Sequence, residues 1–267
     1  MDAMTTVNLH LTGTPADVPL VLLPPFPLDA RVWGKVVARL ESAAGPHLII
    51  TVDPPGFGGA TADGEASLEA YADALLSALD AADVDRFVVA GNSMGGYVAL
   101  VLADLHPERL AGIGLIGTKS TADAVDAREG RLATAARLEA GGSTAEVTGP
   151  MNERMISAAS RAEQPDTVRD LRDWMNQAPA ASIAWALRAM AARPDRTAAL
   201  RTLDVPGLVL CGSDDVTMTW PEQEAMAEAL GESVTALDKV GHLIPMEAPD
   251  ATATALIDLW NRATSRR

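Results

Sequence analysis

A short turn flanked by glycines constrains the fold of this chain more than any other feature. Residues 86–90 form a largely apolar run that predicts a buried strand, and residues 94–105, rich in Ala, Leu and Val, predict a helix. Gly91, Ser93 and Gly95 lie between them in the pattern G-x-S-x-G. Such a turn brings the positions two before and two after the serine together, so both must be nearly free of side chain. The sequence therefore predicts a tight strand-to-helix turn that exposes the Ser93 hydroxyl.

Strand-like and helix-like patterns alternate over most of the chain, which is typical of a parallel sheet with helices on both faces. Seven runs predict strands, at residues 7–11, 20–23, 47–52, 86–90, 110–116, 207–211 and 233–237. Helical patterns lie between them, at residues 30–40, 67–82, 94–105, 222–230 and 250–262. The fold class is therefore α/β.

Residues 118–203 break this alternation. They contain Ala- and Arg-rich helical segments separated by glycines and prolines, with no convincing strand. An all-helical insertion after a central strand is most simply a cap over the carboxyl edge of the sheet. We therefore predict a core domain formed by residues 1–117 and 204–267, with residues 118–203 as an inserted helical cap.

The composition excludes several functional classes. With 21 Lys and Arg against 36 Asp and Glu, the chain carries a net charge of −15, which argues against binding to nucleic acid. No run approaches the ~18 apolar residues of a membrane span, and residues 1–10 lack the pattern of a signal peptide. The single cysteine, Cys211, fits a reducing compartment. We predict a cytoplasmic protein without a membrane partner; the sequence leaves a homo-oligomer open.

A serine hydroxyl is a weak nucleophile at neutral pH and needs a neighbouring base. Of the four histidines, His106 lies at the far end of the helix that follows Ser93, roughly 20 Å away at ~1.5 Å per residue. His47 begins a predicted strand at the opposite edge of the sheet, and His10 lies within an edge strand. His242 follows a strand directly and so emerges at the carboxyl edge, beside the turn. We predict that His242 is the base.

The base in turn needs an orienting acid, which in this order of elements leaves the sheet between the serine and the histidine. Asp214 and Asp215 directly follow the strand predicted at residues 207–211. Both carboxylates are candidates, since one of them could simply cap the turn. We favour Asp215, with Asp214 as the alternative.

Acyl transfer also needs two backbone amides that bind the developing oxyanion. One is the Met94 amide, at the start of the helix after the turn. The second is expected from the loop after the second predicted strand, where Phe26 has an amide hydrogen but its neighbours Pro24, Pro25 and Pro27 have none. The bond between Phe26 and Pro27 is a candidate for a cis peptide.

The chain resembles the α/β-hydrolase superfamily over almost its full length. The matching motifs are residues 26–29 with Trp33, residues 53–59, 91–96, 106–109 and 212–215, and Gly241-His242 followed by Glu247 and Pro249. Within this superfamily, its motifs most resemble those of small bacterial carboxylesterases, enol-lactonases and cofactor-free haloperoxidases. The resemblance implies an eight-stranded, mostly parallel sheet with a helical cap. It also favours Asp215 as the acid, because the triad aspartate of such proteins lies three residues after the glycine.

The sequence departs from these relatives at Pro24-Pro25, where they usually carry His-Gly. In the relatives the glycine keeps the loop unobstructed and the histidine braces it. Two prolines make the loop stiffer and remove donors, but they leave the Phe26 amide in place.

Three functions fit these residues. The first is a serine hydrolase that cleaves small carboxylic esters or lactones through an acyl-enzyme on Ser93, with His242 moving protons and Asp215 orienting the imidazole. The second is a perhydrolase, in which hydrogen peroxide attacks the same acyl-enzyme and the peracid oxidises halide. The third is a non-catalytic ligand-binding protein on the same fold. We favour the first, whose partner is a small-molecule ester or lactone.

The walls of the substrate pocket are harder to predict. The candidates are apolar residues in the cap and near the carboxyl edge of the sheet, chiefly Met151, Trp185, Trp220 and Met246. At helical spacing, such residues are more often plain core. The chain has no metal-ligand spacing, Walker loop or dinucleotide fingerprint, so we predict no metal and no cofactor.

Overall fold

The computed structural model describes residues 4–43 and 47–265, which fold around one seven-stranded sheet of order β1-β3-β2-β4-β5-β6-β7. The strands are β1 (Asn8–Gly13), β2 (Leu20–Leu23), β3 (Leu48–Asp53), β4 (Phe87–Asn92), β5 (Leu110–Ile116), β6 (Gly207–Gly212) and β7 (Val234–Leu237). β1 pairs antiparallel with β3, and every other pairing is parallel. The sheet is therefore mostly parallel, as predicted.

The described residues form seven strands rather than the eight that the family resemblance implies. Residues 4–7, which precede β1, do not extend the sheet beyond it. Instead, the Thr6 amide donates a hydrogen bond to the Thr61 carbonyl at 2.9 Å, and the Thr61 hydroxyl donates to the Met4 carbonyl at 2.7 Å. Residues 4–6 thus bond to the loop that follows β3 and form no strand.

Twelve α-helices fill the described connections. They are α1 (Gly34–Ala43), α2 (Leu68–Ala81), α3 (Met94–Leu105), α4 (Val125–Glu139), α5 (Ala145–Arg154), α6 (Ala158–Glu163), α7 (Pro165–Gln177), α8 (Ala180–Ala192), α9 (Thr197–Thr202), α10 (Trp220–Leu230), α11 (Ile244–Glu247) and α12 (Pro249–Ser265). The Ser67 hydroxyl caps α2 by accepting a hydrogen bond from the Ala70 amide at 3.0 Å, as its position predicts. None of these helices is long and apolar enough to cross a membrane.

The hydrophobic core has two layers, one on each face of the sheet. Alternate residues of β2 point to opposite layers: Val21 and Leu23 belong to one cluster, and Leu20 and Leu22 to the other. All four are fully buried, as expected for a central strand of a parallel sheet covered on both faces.

The carboxyl ends of β4, β6 and β7 lie at one edge of the sheet, because parallel strands run in the same direction. The chain between β5 and β6 contains six helices, α4 to α9, and no strand. It reaches this edge at Met155, whose carbonyl accepts hydrogen bonds from the His242 and Leu243 amides at 3.0 and 3.1 Å. The extreme ends of the predicted core domain, residues 1–3 and 266–267, lie outside the described residues.

Candidate active site

The turn after β4 has the close approach that its glycines predict. A Cβ on Gly91 would lie 2.1 Å from the carbonyl carbon of Gly95, and a Cβ on Gly95 would lie 2.3 Å from the Leu23 carbonyl oxygen. Ser93 itself has φ 52° and ψ −112°, which a non-glycine residue adopts only when its surroundings impose it. The surrounding contacts therefore hold Ser93 in a sharp strand-to-helix turn, as the sequence predicts.

Four hydrogen bonds fix the backbone of Ser93, and two of them run from the Gly96 and Tyr97 amides to its carbonyl, at 2.9 and 3.2 Å. Its amide donates to the Ile116 carbonyl at 2.9 Å, and its carbonyl accepts from the Thr118 hydroxyl at 2.8 Å. The Ser93 hydroxyl makes no hydrogen bond to any described residue, and Ser93 lines a partly open cavity. Its side chain is thus free to meet a ligand there.

His242 lines the same cavity and is paired with Asp215 on its other side. His242 Nδ1 lies 2.8 Å from Asp215 Oδ2, and both side chains are only 2% exposed. Asp214 is exposed, and its Oδ1 accepts a hydrogen bond from the Ser213 hydroxyl instead. Of the two candidate acids, therefore, Asp215 is the one that contacts the histidine.

Asp215 is suited to remain an anion beside the histidine. Burial by itself raises the pKa of this carboxyl, but three opposing interactions outweigh it and hold the pKa below its usual value. These are charge attraction from His242, the hydrogen bond from His242, and hydrogen bonds from the Thr217 and Met218 amides to Oδ1 at 2.7 and 3.2 Å. An ionised Asp215 fixes the Nδ1–H tautomer of His242 and leaves Nε2 available to accept a proton.

A buried carboxylate, Glu247, holds the loop that carries His242. Its Oε2 accepts hydrogen bonds from the Ser157 and Gly241 amides at 2.9 and 3.0 Å, and its Oε1 accepts one from the Leu243 amide at 3.2 Å. Glu247 is 5% exposed. Two of the three donors flank His242 directly, so Glu247 determines where the imidazole lies.

Asn92, the last residue of β4, links this loop to the serine turn. Its Nδ2 donates to the His242 carbonyl at 3.2 Å and to the Ile116 carbonyl at 3.0 Å. Since Ser93 is the next residue along the chain, one buried side chain ties the loop of the histidine to the turn of the serine.

The loop after β2 has the conformation that its prolines indicate. The Leu28 amide donates to the Pro25 carbonyl at 2.9 Å, and the Phe26-Pro27 bond within this turn is cis, as expected. Phe26 lines the same cavity as Ser93. Neither the Phe26 nor the Met94 amide donates to an acceptor among the described residues, so both predicted oxyanion donors are free.

The cavity has a volume of about 170 Å³. It is lined by Phe26, Ser93, Tyr97, Arg131, Pro150, Met151, Arg154, Met155, Met190, Thr217, Met218 and His242. Of the four pocket walls predicted from sequence, Met151 contributes to this lining. Half of the lining residues lie between residues 131 and 190, within the predicted cap.

The other three predicted walls lie elsewhere. Trp185 is 8% exposed and belongs to the core cluster that includes most of α8. Trp220 begins α10 and is 49% exposed, and Met246 is buried in the opposite core layer among the residues of α11. Their apolar side chains serve packing or lie at the surface.

Sequence reasoning missed Tyr97, Arg131 and Arg154 as lining residues. Tyr97 had a usable signal, because it lies four positions after Ser93 and thus one helical turn along the same face of α3. The two arginines had no such signal, since charged residues also lie beside each of them, for example Glu129 before Arg131 and Glu153 before Arg154. In the described parts of the chain, no cluster of three or more His, Cys, Asp or Glu could hold a metal ion.

Comparison with known proteins agrees with this architecture. The model of the alpha/beta hydrolase family matches residues 20–255. The chain is 27% identical over 256 residues to 2-succinyl-6-hydroxy-2,4-cyclohexadiene-1-carboxylate synthase of Salmonella heidelberg (strain SL476), covering 94% of this chain and 96% of that protein. It is 24% identical over 245 residues to 3-oxoadipate enol-lactonase 1 of Acinetobacter baylyi, covering 92% and 89%.

Among solved structures, a thermophilic esterase from Thermogutta terrifontis superposes with a TM-score of 0.90 at 31% identity, over 96% of this chain and 93% of that one. The family match spans most of the chain, including the serine turn and the loop of His242. The chain therefore belongs to the alpha/beta hydrolase family.

Proposed function

We propose that this protein is a serine hydrolase that cleaves small carboxylic esters or lactones through an acyl-enzyme on Ser93. The observation that carries the proposal is the buried pair of His242 and Asp215, 2.8 Å apart, beside a cavity that Ser93 also lines. A buried imidazole oriented by an anion, next to an unpaired serine hydroxyl, is the arrangement that activates a hydroxyl for attack on a carbonyl.

The reaction proceeds in two halves. Ser93 Oγ attacks the substrate carbonyl while its proton passes to His242 Nε2, and the amides of Phe26 and Met94 bind the resulting oxyanion. Collapse expels the alcohol, which takes the proton from His242. Water, deprotonated by His242, then attacks the acyl-enzyme, releasing the acid and restoring Ser93. Asp215 stays ionised throughout and stabilises the imidazolium.

The substrate class follows from the size of the cavity and from the relatives. At about 170 Å³ the cavity is well below the roughly 300–1,000 Å³ that holds drug-sized ligands. Short acyl groups or small lactones fit such a space. The likeness to an esterase at 31% identity and to an enol-lactonase at 24% supports hydrolysis of an ester bond, open or cyclic.

We infer further that residues 118–203 act as a cap that selects substrates. Met151 and Met190 of this segment line the cavity, while the proposed reacting groups follow β4, β6 and β7. Replacing Met151 with Ala enlarges the cavity without touching a reacting group. The variant should therefore shift the preference for acyl chain length towards longer esters.

The test of the proposed function is hydrolysis of p-nitrophenyl acetate by Ser93→Ala. We expect kcat to fall by about 10⁴ or more, because the triad acts as a unit. Ser77→Ala is the matched control, since Ser77 is exposed on α2, outside the cavity. Retention of most of the wild-type turnover by Ser93→Ala would exclude the acyl-enzyme mechanism. A wild-type protein inactive on every ester and lactone, yet able to bind them, would favour the ligand-binding alternative.

A further inference from the structure

The cavity beside Ser93 has a positively charged wall in a protein whose net charge is −15. Among its twelve lining residues, Arg131 and Arg154 are cationic and none is acidic. Both arginines come from the segment 118–203, which contains 12 basic and 11 acidic residues. The segment is thus nearly neutral as a whole, but its only charged residues that line the cavity are cations.

The Arg154 guanidinium is unpaired. It ends α5, is exposed, and makes no ion pair or side-chain hydrogen bond with any described residue. Other arginines of the same segment bind carboxylates, for example Arg188 with Glu139 at 2.6 Å. All five N–H donors of Arg154 are therefore free for a ligand in the cavity.

Arg131 is only partly neutralised. Its Nε lies 2.8 Å from Asp123 Oδ2, but the other oxygen of that carboxylate binds Arg193 Nη2, also at 2.8 Å. Asp123 and Arg193 are both nearly inaccessible, so one buried anion is shared between two guanidinium groups. Arg131 Nη1 meets the Met190 sulfur at 3.6 Å, and a thioether is a weak acceptor. Arg131 therefore retains donors and net positive charge towards the cavity.

We propose that Arg154 and Arg131 bind a free carboxylate of the substrate, so that the preferred substrates are small esters or lactones that carry a second acidic group. This inference rests on the proposed role of Ser93 as nucleophile. A guanidinium offers a planar fork of donors that matches a carboxylate, and two such groups at one wall hold it in a defined orientation. Given the small cavity, half-esters of short dicarboxylic acids fit the space, and hydrolysis releases the dicarboxylate and the alcohol.

The test compares two esters of equal acyl length that differ only at the chain end. Monomethyl glutarate carries a terminal carboxylate where methyl pentanoate carries a methyl group, and both are followed by proton release in a pH-stat. We expect the wild-type kcat/KM for the half-ester to exceed that for the neutral ester by about tenfold or more. Arg154→Gln should lower kcat/KM for the half-ester about 10–100-fold, chiefly through KM, and bring the ratio close to one.

Arg172→Gln is the matched control, because Arg172 lies in the same segment, is exposed and does not line the cavity. It should leave the ratio unchanged. A wild-type preference for methyl pentanoate, or an equal loss on both esters in Arg154→Gln, overturns the carboxylate subsite. If the wild type hydrolyses methyl pentanoate in a reaction that needs Ser93, but shows no preference for the half-ester, then only the carboxylate subsite is overturned and the proposed function stands. Absence of turnover on both esters overturns the subsite, and inactivity on p-nitrophenyl acetate and on lactones as well would overturn the proposed function.

Discussion

The substitution Glu247→Gln tests whether this buried carboxylate positions the candidate base. Glutamine can place its carbonyl oxygen where Oε2 accepts from the Ser157 and Gly241 amides. Its NH₂ group then replaces Oε1 and faces the Leu243 amide, which lies 3.2 Å from Oε1 in the native protein. One hydrogen bond is lost, two donors oppose each other, and the charge that strengthened the other two bonds disappears.

The cost can be worked from these contacts. A hydrogen bond to a charged group contributes about 1.5–3 kcal/mol, so we expect a loss of about 2–3 kcal/mol in the free energy of unfolding. For a chain of this size that corresponds to a fall in Tm of roughly 5–10 °C. Because Gly241 and Leu243 flank His242, the imidazole shifts as well, and a displacement of ~1 Å can lower kcat about 10²-fold.

The assay measures Tm by calorimetry, and kcat and KM on p-nitrophenyl acetate. We expect Glu247→Gln to lower kcat 10–100-fold with KM nearly unchanged, because Glu247 does not line the cavity. Glu224→Gln is the control, since Glu224 is exposed on α10. If Glu247→Gln lowers Tm but keeps the wild-type kcat, Glu247 has only a structural role and does not position the histidine. Wild-type values of both would refute the reasoning altogether.

Three further outcomes are expected. Asp215→Asn should lower kcat by about 10⁴ and Asp214→Asn only slightly, because Asp215 alone contacts the histidine; steady-state kinetics on both variants checks the ranking. The lowered folded-state pKa of Asp215 means that its carboxylate stabilises the fold at neutral pH and that this contribution is lost as the pH falls below about 4. The difference in unfolding free energy between wild type and Asp215→Asn should therefore shrink in acid denaturation series. Restoring His-Gly at Pro24 and Pro25 should leave kcat within about tenfold, since the Phe26 amide is already present; a gain of several orders of magnitude would show that the prolines disable the loop.

The parts of the fold that depend on local pattern were predictable from the sequence. The five inner strands, β2 to β6, correspond to largely apolar runs bounded by turn residues, because a strand buried on both faces must be mostly apolar. The edge strands β1 and β7 are partly exposed and contain polar residues. The eighth strand had no run of its own and came from the family resemblance alone. The described residues form seven strands, so the structure differs from the prediction in this number.

The candidate site likewise has residues that the sequence could predict and residues that it could not. Ser93 and Phe26 could be predicted because their constraints are local: glycines that permit a sharp turn, and prolines that leave one amide. The walls of the cavity could not be predicted, because the sequence of an apolar helix face does not show whether that face packs against the core or lines a cavity. Trp185 and Met151 both looked like pocket residues, yet Trp185 lies in the core and Met151 lines the cavity. The bond from Ser157 to Glu247 spans 90 positions, so no local pattern indicates it.

The methionines that line the cavity indicate whether water or hydrogen peroxide is the better second substrate for this site. Four thioethers line it, those of Met151, Met155, Met190 and Met218. Peroxides and peracids convert a thioether to a polar sulfoxide, which would turn an apolar wall into a polar one. A peracid released from Ser93 would form beside these four groups and would oxidise its own binding site. Ester hydrolysis generates no oxidant, so the four methionines favour water over hydrogen peroxide as the nucleophile that attacks the proposed acyl-enzyme.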